Sequence, residues 1–385
     1  MSRVPPGRYR HFKGNEYEVL GSALHSETGE ELVVYRALYG ERRLFVRPRR
    51  MFVEAVVRDG RAQPRFAWAG PAFAGENRIG KLDAAGQARA RTFLIEQARP
   101  LERALYRFHF EDGTAEEAAA ALAAFRNADG GFGHGLEPDL QTPDSSALAT
   151  ALALRVLKEA GAGAEHPLVQ GAVRWLVDNT EEGRPLWRII PPTAGNAPHA
   201  PWWGQDGLEE AFGGFALNPR AEIAGLLHDY RRLVDGAWLA LVTFSVEERI
   251  LAHTGRMEMH DAVCCARLVA TRTLPVDQRA TLIAKLAPIM EAGVEQDPAQ
   301  WAGYGLQPLQ IVPEPGLPFA PQFDAALQAN LDALIAQQGG DGAWSPAWAW
   351  GDEYPGAWAE ARRAWQGILT LSALRSLAAW GRLAI

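Results

Sequence analysis

The stretch from Asp129 to Ser146, Asp-Gly-Gly-Phe-Gly-His-Gly-Leu-Glu-Pro-Asp-Leu-Gln-Thr-Pro-Asp-Ser-Ser, sits between two alanine- and leucine-rich segments. It is rich in glycine and proline and has no apolar run, so it must be a loop. The flanking segments, Ala115 to Phe125 and Ala147 to Leu157, carry helical patterns. Thr142-Pro143-Asp144 reads as a helix start, with Asp144 as N-cap and Ser145 or Ser146 in the first turn. Helix, glycine loop, helix is therefore the unit of construction.

The unit recurs. Gly213-Gly214-Phe215 leads through Asn218-Pro219 into a helix expected from Ala221 to Leu233, with Asn218 as cap and Pro219 at the first helical position. A helix from Phe323 to Gln338 runs into Gly339-Gly340-Asp341-Gly342-Ala343-Trp344, a Pro- and Trp-rich loop, and a last helix from Ala357 to Trp380. A weaker copy is Trp175 to Asn179 followed by Gly183 to Trp187. Such hairpins cannot bury their apolar faces alone and must stack on neighbours.

Charge and composition divide the chain. Residues 1–70 hold 13 Lys or Arg against 8 Asp or Glu, although the whole chain of 385 residues has a net charge of −7. The first segment alternates β-branched and charged residues, and the remainder is alanine-rich and helical. The boundary is expected between Pro64 and Gly80, giving a small β-rich domain at 1–70 and a helical domain at 84–385. No long apolar window reads as a membrane span and the first residues lack a signal-peptide core, so a cytoplasmic protein is expected. The adjacent Cys264-Cys265 lie in a helical pattern and read as buried thiols.

In the first domain, strands are expected at Gly14 to Leu20, Leu32 to Leu38, Leu44 to Val46 and Phe52 to Arg58, folding as a small barrel or curved sheet. Lys13-Gly14-x-x-Tyr17, His25-Ser26-Glu27-Thr28-Gly29, Val34 to Gly40 and Val46-Arg47-Pro48-x-x-Met51-Phe52 resemble a small bacterial family of unknown function, which brings no activity with it. His25 with Glu27 reads as either a proton-transfer pair or a turn residue. Arg42, Arg43, Arg47, Arg49 and Arg50 read as either a solvated face or a grip on an acidic partner or nucleic acid.

The helical domain opens with helices at Ala84 to Ala98 and Leu101 to Phe110, with Leu94, Leu101, Leu105 and Phe108 facing inward. Further helices follow at Trp238 to His253, Met257 to Thr271 and Val276 to Ala292. The loop from Ile189 to Gly214 is long and aromatic enough to be a rim or lid. Asp-Gly-Gly-Phe-Gly at 129–133, the Gln338-x-x-x-Gly342-x-Trp344 spacing and the hairpin period resemble the squalene-cyclase and protein-prenyltransferase repeat. That resemblance implies an α/α toroid of six helix pairs over 84–385. Its chemistry does not carry over. At the prenyltransferase Asp-x-Cys, Asp144 matches but Ser146 replaces the thiolate, and no His stands in Glu360 to Trp365. The acidic runs of the two cyclase classes are absent. No metal or other cofactor is expected. His260 with Cys264, at i and i+4, lacks a third ligand and reads as a structural pair.

The remaining polar cluster is His134, Glu137, Asp139 and Asp144, beside a helix N-terminus that favours negative charge. Two carboxylates and a histidine can divide acid and base work, one carboxyl being raised by its neighbour. The competing reading is that they cap a helix and tie down a loop. Facing repeats add Trp202, Trp203, Asp206, Asn218 and Glu222 from the middle, and Trp344, Trp348 and Asp352 from the end, as ligand-binding candidates. Three functions fit. The first is a small apolar or isoprenoid-like ligand in a central cavity, transformed by metal-independent acid–base chemistry. The second is carbohydrate cleavage between Glu137 and a carboxylate such as Asp206 or Asp352. The third is a non-catalytic binding scaffold.

Overall fold

The computed structural model describes residues 4–5, 7–39, 43–58, 61–70, 80–181, 184–204 and 216–384, with Arg58 and Arg61 described by backbone alone. Asp206, Arg42, Gly183 and the Gly213-Gly214-Phe215 repeat lie outside the described residues. The chain divides into two compact units, Met1–Ile79 and Gly80–Ile385.

The first unit contains β1 (Gly7–His11), β2 (Glu16–Leu24), β3 (Glu31–Ala37), β4 (Leu44–Pro48), a short helix α1 (Arg49–Val53), β5 (Ala55–Arg58), β6 (Arg61–Pro64) and β7 (Phe66–Gly70). Five strands form an antiparallel sheet in the order β4-β3-β2-β1-β7, and β5 pairs with β6. Among the described residues β4 and β7 do not pair, so the sheet has two edges and is not a closed barrel. Alternation in β3 sends Val33, Tyr35 and Ala37 to one face. There Val33 and Tyr35 meet Val19 and the rings of Phe52 and Phe66, which stack 4.1 Å apart.

Two expectations are corrected in this unit. Phe52 ends a helical turn and does not begin a strand, because that turn swings its ring under the sheet. β1, Gly-Arg-Tyr-Arg-His, was not anticipated: Tyr9 is its one large buried side chain, so the apolar pattern is too thin to read. His25 Nδ1 accepts the Glu27 and Thr28 N–H groups, both at 3.3 Å, which makes it a turn residue. Arg47 bonds the Tyr35 hydroxyl, while Arg49 and Arg50 pair with Glu31 and Glu30.

The second unit is helical: α2 (Ala84–Glu96), α3 (Pro100–Phe110), α4 (Ala115–Leu122), α5 (Ala147–Glu159), α6 (Pro167–Asp178), α7 (Arg220–Asp229), α8 (Gly236–Ala252), α9 (Met259–Ala270), α10 (Val276–Gly293), α11 (Pro308–Ile311), α12 (Asp324–Ala336) and α13 (Pro355–Ala379). Among the described residues no helix is long and apolar enough to cross a membrane. Consecutive helices pack as α3 with α4, α5 with α6, α7 with α8, α9 with α10 and α11 with α12. The last helix, α13, packs on α2 and α3. Side by side stand α5 and α7, α7 and α9, α9 and α11. The end of the unit returns to its start, where Ala384 N–H bonds Leu82 O at 2.9 Å and Leu82 N–H bonds Arg382 O at 2.8 Å.

The glycine loops before α5 and α13 have one construction. Asp129 and Asp341 each accept, through Oδ1, the N–H two residues on, at 2.9 and 3.1 Å. Phe132 N–H bonds Thr150 Oγ1 at 3.1 Å, and Trp344 N–H bonds Thr370 Oγ1 at 3.0 Å. Each aromatic is thereby buried and its loop locked to the helix that follows. Gly130 and Gly342 have φ of +95° and +90°, which disfavours any side chain. They also press on backbone: a Cβ at Gly130 would lie 2.9 Å from Gly171 O in α6, and one at Gly342 would lie 2.4 Å from the Arg89 carbonyl carbon in α2.

Helix starts differ in detail from expectation. The cap of α5 is Ser146, whose Oγ accepts Ala149 N–H at 3.0 Å. Asp144 is not the cap, because Ser146 N–H is still bonded to Phe132 O and holds the chain extended to that point. Likewise α7 begins at Arg220, with Pro219 in the cap position where Asn218 was expected.

Gly342→Ala should destabilise the protein by about 2 kcal/mol or more, since it adds left-handed strain to a backbone clash. Chemical denaturation checks this, and a change under 0.5 kcal/mol would show that the loop can shift away from α2.

Candidate active site

The loop between Gly133 and Ser146 is held from several sides. Gly133 brings the chain against Asp144, where a Cβ would lie 2.3 Å from the carbonyl oxygen. Arg99, paired in two bonds with Glu102, donates through Nη1 to Gly135 O at 2.9 Å. Ala200 N–H reaches Asp139 O at 2.9 Å and Gln141 N–H reaches Pro198 O at 3.0 Å, which fastens the loop to the segment anticipated as a rim.

The Asp139 carboxylate is buried and accepts three indole N–H groups. Trp350 Nε1 and Trp365 Nε1 reach Oδ1 at 2.7 and 2.8 Å, and Trp348 Nε1 reaches Oδ2 at 3.1 Å. Burial raises the Asp139 pKa, and the three donors oppose that rise. Two residues away, the Glu137 carboxyl is pushed up to about 8, first by burial and then by the charge of Asp139. The Asp139 N–H, Arg99 and Arg155 only partly offset this. Glu137 therefore carries a proton at neutral pH.

Facing these carboxyls is a relay at the start of α9. Glu258 Oε1 bonds His260 Nδ1 at 2.8 Å, and His260 Nε2 lies 3.1 Å from the Tyr304 hydroxyl. The Glu258 bond raises the His260 pKa against burial, and Glu137 adds to the rise once it is ionised. Tyr304 is pushed up to about 12 by burial and by Glu258, Asp139 and Glu137. Its ring meets Trp348 edge-on at 5.8 Å, and Trp348 meets Trp365 in the same way at 5.1 Å. One aromatic wall thus joins the relay to Asp139.

A third group spans three neighbouring helices. Glu222 of α7 accepts Arg155 Nη1 from α5 and Arg267 Nη1 from α9, each at 2.7 Å. Burial raises the Glu222 carboxyl, but the two guanidiniums outweigh it and hold it low. Cys264 donates to Asn218 Oδ1 at 3.6 Å, and burial pushes its thiol far up, so it is an unreactive thiol.

The anticipated residues fall into distinct places. Glu137 and Asp139 come together with Trp348, while Glu222 and Asn218 lie by Cys264. His134 is exposed, has a positive φ of 53°, and bonds Asn127 Oδ1 at 2.8 Å as part of the loop's own framework. Asp144 is exposed and takes the Thr193 hydroxyl, so the pair suggested by the prenyltransferase comparison, Asp144 and Ser146, is committed to Thr193 and to a helix cap. Trp203 packs with Leu140, Ile189 and Trp350, Trp202 is exposed, and Trp344 is buried with Nε1 on Leu334 O. Asp352 is exposed. Among the described residues no three His, Cys, Asp or Glu gather in a way that could hold a metal ion. The relay, Trp365, Arg155 and Arg267 were not anticipated as site residues. Tyr304 stands alone between glycines, and the two arginines look like ordinary helix-surface charges.

Asp139→Leu should cost about 3 kcal/mol or more, because it strands indole donors of which Trp350 is fully buried. Trp348→Phe, which removes one half-buried donor, should cost about 1 kcal/mol. Equal losses in denaturation experiments would show that the carboxylate does not organise the tryptophans.

Comparison with known proteins informs the first unit. Residues 7–68 match the family model described as "Protein of unknown function (DUF1653)". A solved structure from Bordetella bronchiseptica, described as a protein belonging to DUF1653, is 40% identical over 19% of this chain and 95% of that chain, with a TM-score of 0.17. A search of curated proteins returned no match to this chain. Through residues 7–68, then, the chain belongs to the DUF1653 family.

Proposed function

We propose that the helical unit is a closed α/α toroid whose interior binds a small ligand, and that Glu137 protonates that ligand as a general acid. The ring reading is supported by the two-by-two packing of successive helices, α3 with α4 through α11 with α12, and by the packing of α13 on α2 and α3. The shared construction of the loops before α5 and α13 supports it further, since a repeated hairpin stacks on its copies.

The acid assignment rests on one feature: a Glu137 carboxyl raised to about 8 beside a fixed Asp139, within electrostatic reach of His260 and Tyr304. A carboxyl near neutral pKa both keeps and gives up its proton readily at physiological pH. Asp139 is immobilised by its indoles, and its negative charge adds to burial in raising the Glu137 pKa. On the facing side His260, oriented by Glu258, is the complementary proton acceptor, with Tyr304 as its contact to the ligand.

The side chains around the site bear on the ligand class. Charged and polar side chains project from α5, α7 and α9, which suits a hydroxyl-bearing, sugar-like molecule that stacks on Trp348. The second reading, an isoprenoid-like ligand, is favoured by the faces of Trp348, Trp365 and Tyr304, which would stabilise developing positive charge. Ligand-detected NMR with separate sugar and prenyl-alcohol panels distinguishes the two.

Glu137→Gln should abolish turnover and leave folding intact, because an amide resembles the protonated acid. Its effect on stability has a defined sign. A folded pKa of about 8 against 4.5 means that the native state holds the extra proton between those values. The stabilisation from Glu137 is complete below pH 4.5 and is lost as pH rises to about 8, with a slope of up to about 1.4 kcal/mol per unit. The slope should vanish in Glu137→Gln. Identical pH–stability curves for the two proteins would remove the acid assignment.

A further inference from the structure

Among the described residues, the sheet of the first unit ends at β4 in an edge that its own chain leaves open. Ala37 N–H bonds Arg43 O at 3.1 Å, which sets the phase of the ladder between β3 and β4. Tyr35 with Phe45, and Val33 with Arg47, then exchange N–H···O bonds. Leu44, opposite Arg36, and Val46, opposite Val34, turn their N–H and C=O groups away from β3. Among the described residues no other backbone takes up those outward groups. Two donors and two acceptors therefore stand in a row, the two residues about 7 Å apart along the strand. Pro48, next in the outward row, has no N–H and so ends it.

The side chains of this edge are as open as its backbone. Leu44, Phe45 and Val46 are 58%, 42% and 63% exposed, and Met51 and Val53 of the neighbouring α1 are exposed as well. An apolar edge of this kind is ordinarily blunted by a lysine, a bulge or a proline. None falls between Leu44 and Arg47, where the register with β3 runs without a shift.

Charge decides between the occupants. Residues 30–50 hold six arginines against three glutamates. Glu31 and Glu30 pair with Arg49 and Arg50, and Glu18 of β2 stands opposite Arg36. With Glu41 and Glu18 also counted, positive charge around β4 still exceeds negative by two. Arg43 and Arg47 flank the open row, and among the described residues Arg47 meets the Tyr35 hydroxyl and the Phe66 ring, not a carboxylate. A second copy of the chain, pairing antiparallel about Phe45, would set Arg47 of each copy opposite Arg43 of the other. Like charges directly opposite are destabilising. An extended segment with a carboxylate at those two places meets attraction there instead.

We propose that β4 binds an extended acidic segment of another protein, added antiparallel to the five-stranded sheet as a further strand. Apolar residues of that segment lie opposite Leu44 and Val46, and carboxylates lie opposite Arg43 and Arg47. Main-chain bonds hold the segment, and the alternation acidic, apolar, any, apolar, acidic selects it.

Fluorescence anisotropy of the full chain with the labelled peptide Ser-Glu-Val-Thr-Val-Glu-Ser tests this. Saturable binding is expected, about tenfold or more tighter than that of the same peptide with lysine in place of glutamate. Methylating the backbone nitrogens of both valines, which would face β4, should abolish binding. Methylating that of the threonine, which would face away, should leave it within about twofold. Val46→Pro removes one outward donor without touching a bond to β3, and should weaken binding about fivefold with an unchanged circular dichroism spectrum. Should that variant misfold, the methylated peptides read the same contact with the protein unaltered. No binding of the acidic peptide, or equal binding of its valine-methylated form, overturns the proposal. So does a concentration-dependent dimer in sedimentation that Val46→Pro dissolves, since the edge would then belong to a second copy.

Discussion

A buried carboxylate that accepts three indole N–H bonds joins the ends of the helical unit. Asp139 belongs to the loop before α5, while Trp348, Trp350 and Trp365 come from the segment around the start of α13, more than 200 residues later. Each bond to a charged acceptor is worth more than a neutral one, and each donor would be costly to strand. The two glycine loops end in the same construction, so this contact locks together two copies of one device. Other ties run beside it, from Leu82 to the chain end and from Gln338 to Gly86. Only the Asp139 contact, however, sits where the unusual titrations are.

That position sets the electrostatics of the surroundings. Asp139 has its negative charge satisfied by dipoles that cannot neutralise it, so its field persists at Glu137. A lysine or arginine in place of the indoles would have cancelled that field and left burial alone to raise Glu137. Tryptophan supplies a donor, an apolar wall and no charge, and all three properties serve here. Trp348 also meets Tyr304, so the proton-handling groups at the start of α9 adjoin a site built by elements distant in sequence.

What could be read in the sequence was what is local. Asp129-Gly130-Gly131-Phe132 announces a tight turn because Gly130 must take a positive φ and Asp129 bonds two residues ahead, both consequences of neighbouring residues. Glu137 and Asp139 stood out because carboxylates in a glycine loop have few apolar companions. Trp348 was a candidate from the last repeat, but its bond to Asp139 was hidden by separation, since thirteen tryptophans in the chain give no sign of which one turns its N–H inward. Asp144 and Ser146 were interchanged as cap because either side chain suits the position; the Ser146 N–H bond to Phe132 O, set by folding, decides between them. Arg155 and Arg267 were illegible for a different reason. An arginine on an amphipathic helix normally faces water, and only the packing of α7 between α5 and α9 turns both toward Glu222.

The placing of Glu222 also explains how a proton-bearing acid survives near Arg155. A guanidinium next to a carboxyl ordinarily draws its pKa down, and Arg155 does so at Glu137 to a limited extent. Because Glu222 engages both guanidiniums at 2.7 Å, part of their field ends on its oxygens and less reaches the acid.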